Sequence, residues 1–367
     1  MQQTTDKERR MDDTKLLWHM NRVIECYDKG KRIAPIHIDV GLTKKCNMAC
    51  VYCYGFYQNM NGAIISKDAL LNNIVRSAAK IGVRSLGFIG DGEPTLNPAV
   101  YEALNLGKQL GLSLAISTNG ILVNDDYKRD AILRSCEWMR FNISAYTKKG
   151  YKLIHRSDKR EVVLKNIIDM VKYKKKHNLK CDIGLQMVFN PKLMMKEVIP
   201  LAQFAIDSGV DYFVIKQCSL PDKGESKIAQ FDINLYNNSN VIKILKKAQA
   251  MSTNKTKIIP KWNIINLKGE KKYDHCYGVQ FLPEISGDGG VYPCAYFFGG
   301  NNPKLCYGNV HKNSLEEIFN SKRYWRIVKY MNKKFNPKTQ CKGCCRQDKT
   351  NEFISEYLNK PKGINFI

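Results

Sequence analysis

Residues 46–53 read CNMACVYC, three cysteines spaced C-x-x-x-C-x-x-C, shortly after the apolar run IHIDVGL at 36–42. Closely spaced thiolates favour soft metals, either zinc or iron–sulfur. A structural zinc site takes four ligands, usually as two C-x-x-C pairs, whereas this loop supplies three. Three thiolates on a four-iron cube leave one iron open, and an open metal position is what a catalytic site needs. From spacing alone the loop reads as iron–sulfur, with zinc and uninvolved cysteines as rivals.

Outward from this loop, short apolar runs alternate with amphipathic stretches. The strand candidates are 36–42, SLGFIG (85–90), LSLAIS (112–117), WMRFNIS (138–144), DIGLQMVF (182–189) and DYFVIK (211–216). Apolar residues at consecutive positions suit strands buried on both faces. Between them lie helical patterns around 67–80, 98–110, 122–134, 160–177 and 194–208. In 160–177, Leu164, Ile167, Ile168 and Val171 make one apolar face. Such alternation predicts an α/β fold of parallel strands with right-handed crossovers, an open or partial barrel. Chemistry in such folds gathers at the carboxyl ends of the strands, and the cysteine loop follows a strand. The expected organisation is a helical extension at 1–34, a core barrel at 35–220, a linking segment at 221–264, a smaller cysteine-rich domain at 265–352 and a tail at 353–367.

Lys plus Arg number 59 against 34 Asp plus Glu, a formal charge of +25. That surplus attracts anions and fits a phosphorylated, nucleotide-linked or nucleic-acid substrate, or simply a lysine-rich surface. The 13 cysteines are an odd number in a chain without an apolar export segment, which points to reduced thiols and metal ligation and to the cytoplasm. No apolar run is long enough to span a membrane.

The motif CNMACVYC resembles the signature of the radical S-adenosylmethionine (SAM) superfamily, and the strand pattern resembles that family's partial (β/α)6, TIM-like barrel. The resemblance covers roughly 36–217. It implies that Cys46, Cys50 and Cys53 hold a 4Fe–4S cluster whose open iron chelates SAM, and that reduction yields a 5′-deoxyadenosyl radical. Tyr52 stands where family members set an aromatic ring against adenine. GDGEPTLNP (90–98) resembles the family's Gly-Gly-Glu-Pro segment, with Gly92, Glu93 and Pro94 in place and Asp91 where the first Gly usually stands. There the backbone and Glu93 are expected to meet the SAM ammonium. Ser117 and Asn119 of STNG, Ser144 of FNISA and Gln186 are carried over as further SAM contacts. Taken singly, each is an ordinary turn or helix-cap residue.

Cys276 and Cys294, spaced C-x12-G-x4-C, followed by Cys341 and Cys344, resemble the SPASM/twitch extension of this superfamily. The short, twitch type is favoured, because no C-x5-C continuation follows Cys344. The resemblance implies one auxiliary 4Fe–4S cluster on Cys276, Cys294, Cys341 and Cys344. Cys345 is an alternative to Cys344, and structural zinc is the alternative metal.

The implied enzyme is of oxidoreductase or epimerase type, acting on a small polar, anionic substrate: a sugar, aminocyclitol or nucleotide-sugar. An electron donor such as flavodoxin or ferredoxin is the expected partner. Arg140, Tyr146, His155, Arg156, Lys216 and Gln217 are candidates for the substrate rim, and Cys218 for a hydrogen-atom donor in epimerisation, with Cys306 and Cys345 competing. A lone Cys at a strand end is otherwise a small buried hydrophobe. The rival readings are a peptide-modifying or RNA-modifying radical SAM enzyme and, outside catalysis, a zinc-stabilised nucleic-acid-binding protein.

Overall fold

The six apolar runs become six consecutive parallel strands: β1 (His37–Val40), β2 (Ser85–Phe88), β3 (Ser113–Thr118), β4 (Cys136–Asn142), β5 (Asp182–Phe189) and β6 (Tyr212–Gln217). The computed structural model describes residues 13–218, 233–265, 270–300, 302–341 and 345–366. Helices Val100–Gln109, Asp126–Ser135, Arg160–Lys176 and Val198–Ser208 fall on the predicted patterns. The 67–80 pattern becomes a π-helical stretch, Ala69–Arg76, running into helix Ser77–Lys80.

β4 shows how the strands are used. Met139 and Phe141 are fully buried, while Trp138, Arg140 and Asn142 are half-buried on the opposite, concave face. Alternation along a strand sends neighbouring side chains to opposite faces, so an apolar face packs on helices and a polar face lines the hollow. Each fully buried Phe, Leu or Ile on the apolar side contributes about 1.5–3 kcal/mol.

Three features depart from the expected organisation. Residues 257–260 of the presumed linking segment form a seventh parallel strand, β7 (Lys257–Pro260), against β6. The C-terminal β8 (Glu284–Ile285), β9 (Gly290–Tyr292) and β10 (Gly308–Asn309) join the same sheet, β8 running parallel to β1. Among the described residues the order is β10-β9-β8-β1-β2-β3-β4-β5-β6-β7 in one open, ten-stranded sheet. Finally, residues 16–36 pack against the C-terminal helix. Leu16, Val23, Ile33 and Ile36 form a second core with Tyr277, Phe281 and, from helix Asp348–Leu358, Ile354, so that helix is held in place.

The C-terminal module also leans on the helical stretch after β1. Asn73 Nδ2 donates to Val310 O (2.8 Å), and Glu316 N donates to Ser77 Oγ (2.8 Å). Among the described residues no helix is long and apolar enough to cross a membrane.

Candidate functional site: a three-cysteine loop and a second thiol-lined cavity

The cysteine loop leaves β1 at the carboxyl edge of the sheet and closes over that edge. Val51 N donates to Ile154 O (2.9 Å) and Ala49 N to His155 O (3.3 Å), both at the end of helix Lys148–His155. Cys46 and Cys53 line an open hollow of about 490 Å³ with Lys44, Lys45, Met48, Met60, Gly62 and Leu96. Cys50 Sγ lies 3.1 Å from His155 Nδ1. Cys46 stands exposed at the rim, yet the protein packed around it raises its thiol to about 11. Cys50 is pushed up by burial and then by Cys53 and Cys46. Packed thiols that oppose one another's ionisation are relieved by a cationic metal core, so this donor set suits a soft cluster. Among the described residues no three His, Cys, Asp or Glu side chains converge tightly enough to hold a single metal ion.

The turn after β2 supports that loop from below. A Cβ on Gly92 would lie 2.3 Å from Lys45 O and 2.4 Å from Thr43 O, so only glycine lets the two segments touch. Glu93 N donates to Lys45 O (2.8 Å). Glu93 is buried, and its carboxylate accepts from several neighbouring groups. Oε1 accepts from Thr95 N (3.1 Å), Thr95 Oγ1 (2.7 Å) and Thr118 Oγ1 (2.6 Å), and Oε2 accepts from Asn119 N (2.7 Å). Burial raises its pKa, with these donors pulling it back. Glu93 thus ties the β2 and β3 ends together. Pro94 is buried and opens a 3₁₀ turn. Replacing Glu93 with Ala strands these donors. The expected cost is about 1–3 kcal/mol per buried group left unsatisfied, with weaker cluster retention, read by denaturant unfolding and iron content; Glu93→Gln recovers part of both.

Asn119 stitches β3 to the cysteine loop. Its Nδ2 donates to Asn47 Oδ1 (2.6 Å) and lies 4.0 Å from Cys46 Sγ. Ser117, opposite Arg140 in the β3–β4 register, is half-buried on the concave face. Arg140 there donates from Nη1 to Gln186 Oε1 (2.8 Å) and from Nε to Tyr212 OH (3.3 Å), with its guanidinium 4.6 Å from the Trp138 ring centre. Gln186 Nε2 donates to Asn142 Oδ1 (3.3 Å), and Asn142 Nδ2 to Tyr52 OH (3.3 Å). A polar chain therefore runs from the middle of the concave face up to the cysteine loop.

Several sequence-predicted residues take other places. Ser144 is fully buried, its Oγ accepting Val188 N–H (3.0 Å), so it joins the β4 and β5 ends. Tyr52 is buried edge-on to His155 (ring centres 5.9 Å apart). His155 is fully buried, not on a rim, and burial lowers its pKa to about 3. Arg156 ends its helix with φ 48°. Tyr146 packs on Phe204 beneath Arg160. Lys216 is half-buried and Gln217 buried at the end of β6. Cys218 is fully buried in the main core, its N–H directed to Phe189 O (3.1 Å) and Tyr236 OH (3.0 Å). Lys44, which sequence reasoning passed over, is buried 3.7 Å from Asp91 Oδ2 and 3.3 Å from Asp288 Oδ2. A lysine flanked by polar residues gave no signal of burial.

In the C-terminal module, Cys276, Cys294, Cys341 and Cys345 line one cavity of about 110 Å³ with Tyr54 and Tyr273. Burial raises Cys276, Cys294 and Cys345, the last to about 12, and neighbouring thiols of the set add to each shift. Cys344 lies outside the described residues. Cys306 donates to Gly308 O (3.2 Å) away from this set.

Residues 40–205 match the radical SAM superfamily model, and residues 276–345 match an iron–sulfur cluster-binding domain. The second match begins at Cys276 and ends at Cys345. The chain is 26% identical to a tungsten-containing aldehyde ferredoxin oxidoreductase cofactor-modifying protein of Pyrococcus furiosus, over 77% of this chain and 80% of that one. It is 26% identical to a GTP 3′,8-cyclase of Clostridium perfringens, over 65% of this chain and 68% of that one. The fold resembles Streptococcus suis SuiB bound to S-adenosylmethionine, with a TM-score of 0.64 and 17% identity over 98% of this chain and 83% of that one. The protein therefore works with SAM, a 4Fe–4S cluster and auxiliary iron–sulfur chemistry. Residues 40–205 are thus a radical SAM superfamily domain, and residues 276–345 a C-terminal iron–sulfur cluster-binding domain of the SPASM type.

Proposed function

We propose that Cys46, Cys50 and Cys53 hold the SAM-binding cluster, that Cys276, Cys294, Cys341 and Cys345 hold the auxiliary one, and that the enzyme removes hydrogen from a small polar, anionic substrate, foremost a nucleotide or nucleotide-linked sugar. When bound, SAM supplies a 5′-deoxyadenosyl radical as the hydrogen acceptor. The observation that carries the substrate class is Arg140, a guanidinium half-buried at the middle of the concave face, stacked over Trp138 and steadied by Gln186. Its outer N–H donors suit a phosphate or carboxylate. The relative acting on GTP supports the nucleotide side of this reading, and the net charge of +25 favours anion capture. The burial of Cys218 favours dehydrogenation over thiol quenching: one hydrogen atom would go to the 5′-deoxyadenosyl radical, one electron to the auxiliary cluster, and the remaining substrate proton to water. A low-potential flavodoxin or ferredoxin is the electron donor.

The test is hydrogen transfer from deuterated nucleotides and nucleotide-sugars. Deuterium recovered in 5′-deoxyadenosine supports the reading. Transfer only from a peptide or from RNA, or from no anionic small molecule, overturns it. Arg140→Met should raise KM for the phosphorylated substrate at least tenfold, while SAM cleavage without substrate is unchanged.

A further inference from the structure

We propose that His155 tunes the SAM-site cluster through a hydrogen bond from its Nδ1 to Cys50 Sγ, making the cluster easier to reduce. The inference rests on the reading that Cys50 is a cluster ligand.

The direction of this bond follows from the other side of the ring. The backbone N–H of Ser144 can only donate, and it points at His155 Nε2 (2.9 Å). That nitrogen therefore presents its lone pair, and the neutral ring carries its hydrogen on Nδ1, 3.1 Å from the sulfur. The ring is fully buried. Tyr151 lies 4.5 Å away and Tyr52 5.9 Å away, centre to centre.

The same helix end grips the loop backbone at two further points, where Ile154 O and His155 O accept Val51 N–H and Ala49 N–H. The helix itself is anchored at its start. Thr147 caps Gly150 N, and the Glu197 carboxylate accepts Tyr146 N, Thr147 N and Thr147 Oγ1 (2.7, 2.8 and 2.6 Å). Donor and sulfur are thus fixed relative to each other by the fold.

An N–H donor stabilises negative charge on a ligating sulfur. Reduction adds one electron, from a low-potential protein donor, and part of that charge falls on the sulfurs, so the bond favours the reduced state. No proton is transferred, because the hydrogen stays on Nδ1 throughout.

The test is a midpoint potential measured by electron paramagnetic resonance on reconstituted full-length protein. The SAM-site signal is identified by its change when SAM is added. His155→Leu should shift the reduction equilibrium at least tenfold toward the oxidised form, about 59 mV for one electron. His155→Asn, which keeps an N–H near the Nδ1 position, should recover most of that shift. A Leu variant with the wild-type midpoint, or an Asn variant as shifted as Leu, overturns the inference.

A metal-free readout runs beside it. Nitrogen-15 spectra of the apo protein should show hydrogen on Nδ1 and none on Nε2, and the reverse tautomer overturns the inference even if the Leu variant loads no iron. Cys50→Ala serves as the control: retention of a full SAM-site cluster there would sink the ligand reading itself, separately from the role of His155.

Discussion

Replacing Lys44 with methionine is expected to lower the free energy of unfolding by about 3–5 kcal/mol, the range for breaking a buried ion pair by removing one partner. Lys44 and Asp91 have fully buried side chains, and Lys44 Nζ also approaches Asp288 and donates to Gln58 O (2.5 Å). Asp91 meanwhile accepts from Ser286 Oγ (2.8 Å) and Gly287 N (3.0 Å). One ammonium therefore joins the cysteine loop, the turn after β2 and the β8–β9 turn of the auxiliary domain. Methionine keeps the apolar stem and leaves the carboxylates without their cation. Burial already holds the Asp91 carboxyl above its ordinary value, while Ser286 and Lys44 pull it down. Without Lys44 it rises further. A carboxyl raised in the folded state loses stability as pH climbs, so the deficit should be larger at pH 8 than at pH 5. Denaturant unfolding at both values checks this. In a double-mutant cycle, Lys44→Met with Asp91→Asn should be clearly less destabilised than the sum of the single changes. Strict additivity, or a single-mutant loss below about 1 kcal/mol, would show that the ion pair does not hold these segments together.

This triad also shows where a sequence stops being legible. Asp91 was visible as a departure from a Gly-Gly-Glu-Pro pattern, but its partners Ser286 and Gly287 lie 195 and 196 residues away. The strands β1 to β6 could be read because burial on both faces leaves unbroken apolar runs. β7 could not, since KIIP is four residues in a Lys- and Asn-rich stretch. β8 to β10 span only two or three residues each and exist by pairing with neighbours. At the site, residue types identify the turns but not the bonds that tie those turns together. Glu93 and Ser144 read as polar groups suited to a ligand, and each also accepts from a backbone donor of an adjacent strand end. A carboxylate that serves a ligand and one that ties a fold look the same in a motif. His155 sits in KLIHR, an ordinary helix end, and its contact with Cys50 spans 105 residues.

The second large effect concerns the adjacent cysteines at 344 and 345. Cys345→Ala protein, reconstituted without oxygen, should hold about four irons per chain against about eight for the unaltered protein, whereas Cys344→Ala should stay near eight. The expectation rests on Cys345 facing the cavity shared with Cys276, Cys294 and Cys341. It also rests on the mutual influence of these thiols: Cys276 is raised by burial and then by Cys345 and Cys341, and Cys294 feels all three others. Asn351 Nδ2 lies 3.9 Å from Cys276 Sγ and 3.8 Å from Cys345 Sγ, so one amide faces two sulfurs of the set. Spacing alone cannot choose between neighbouring cysteines, because adjacent side chains leave the backbone in different directions. Reductive SAM cleavage should persist in Cys345→Ala, since the three-cysteine loop draws on a separate donor set. Full iron in Cys345→Ala, with iron lost in Cys344→Ala, would move the fourth ligand to the neighbouring residue. Four irons with stoichiometric zinc in the unaltered protein would instead assign the C-terminal cavity to a closed zinc site, and with it remove the electron acceptor that the proposed dehydrogenation requires.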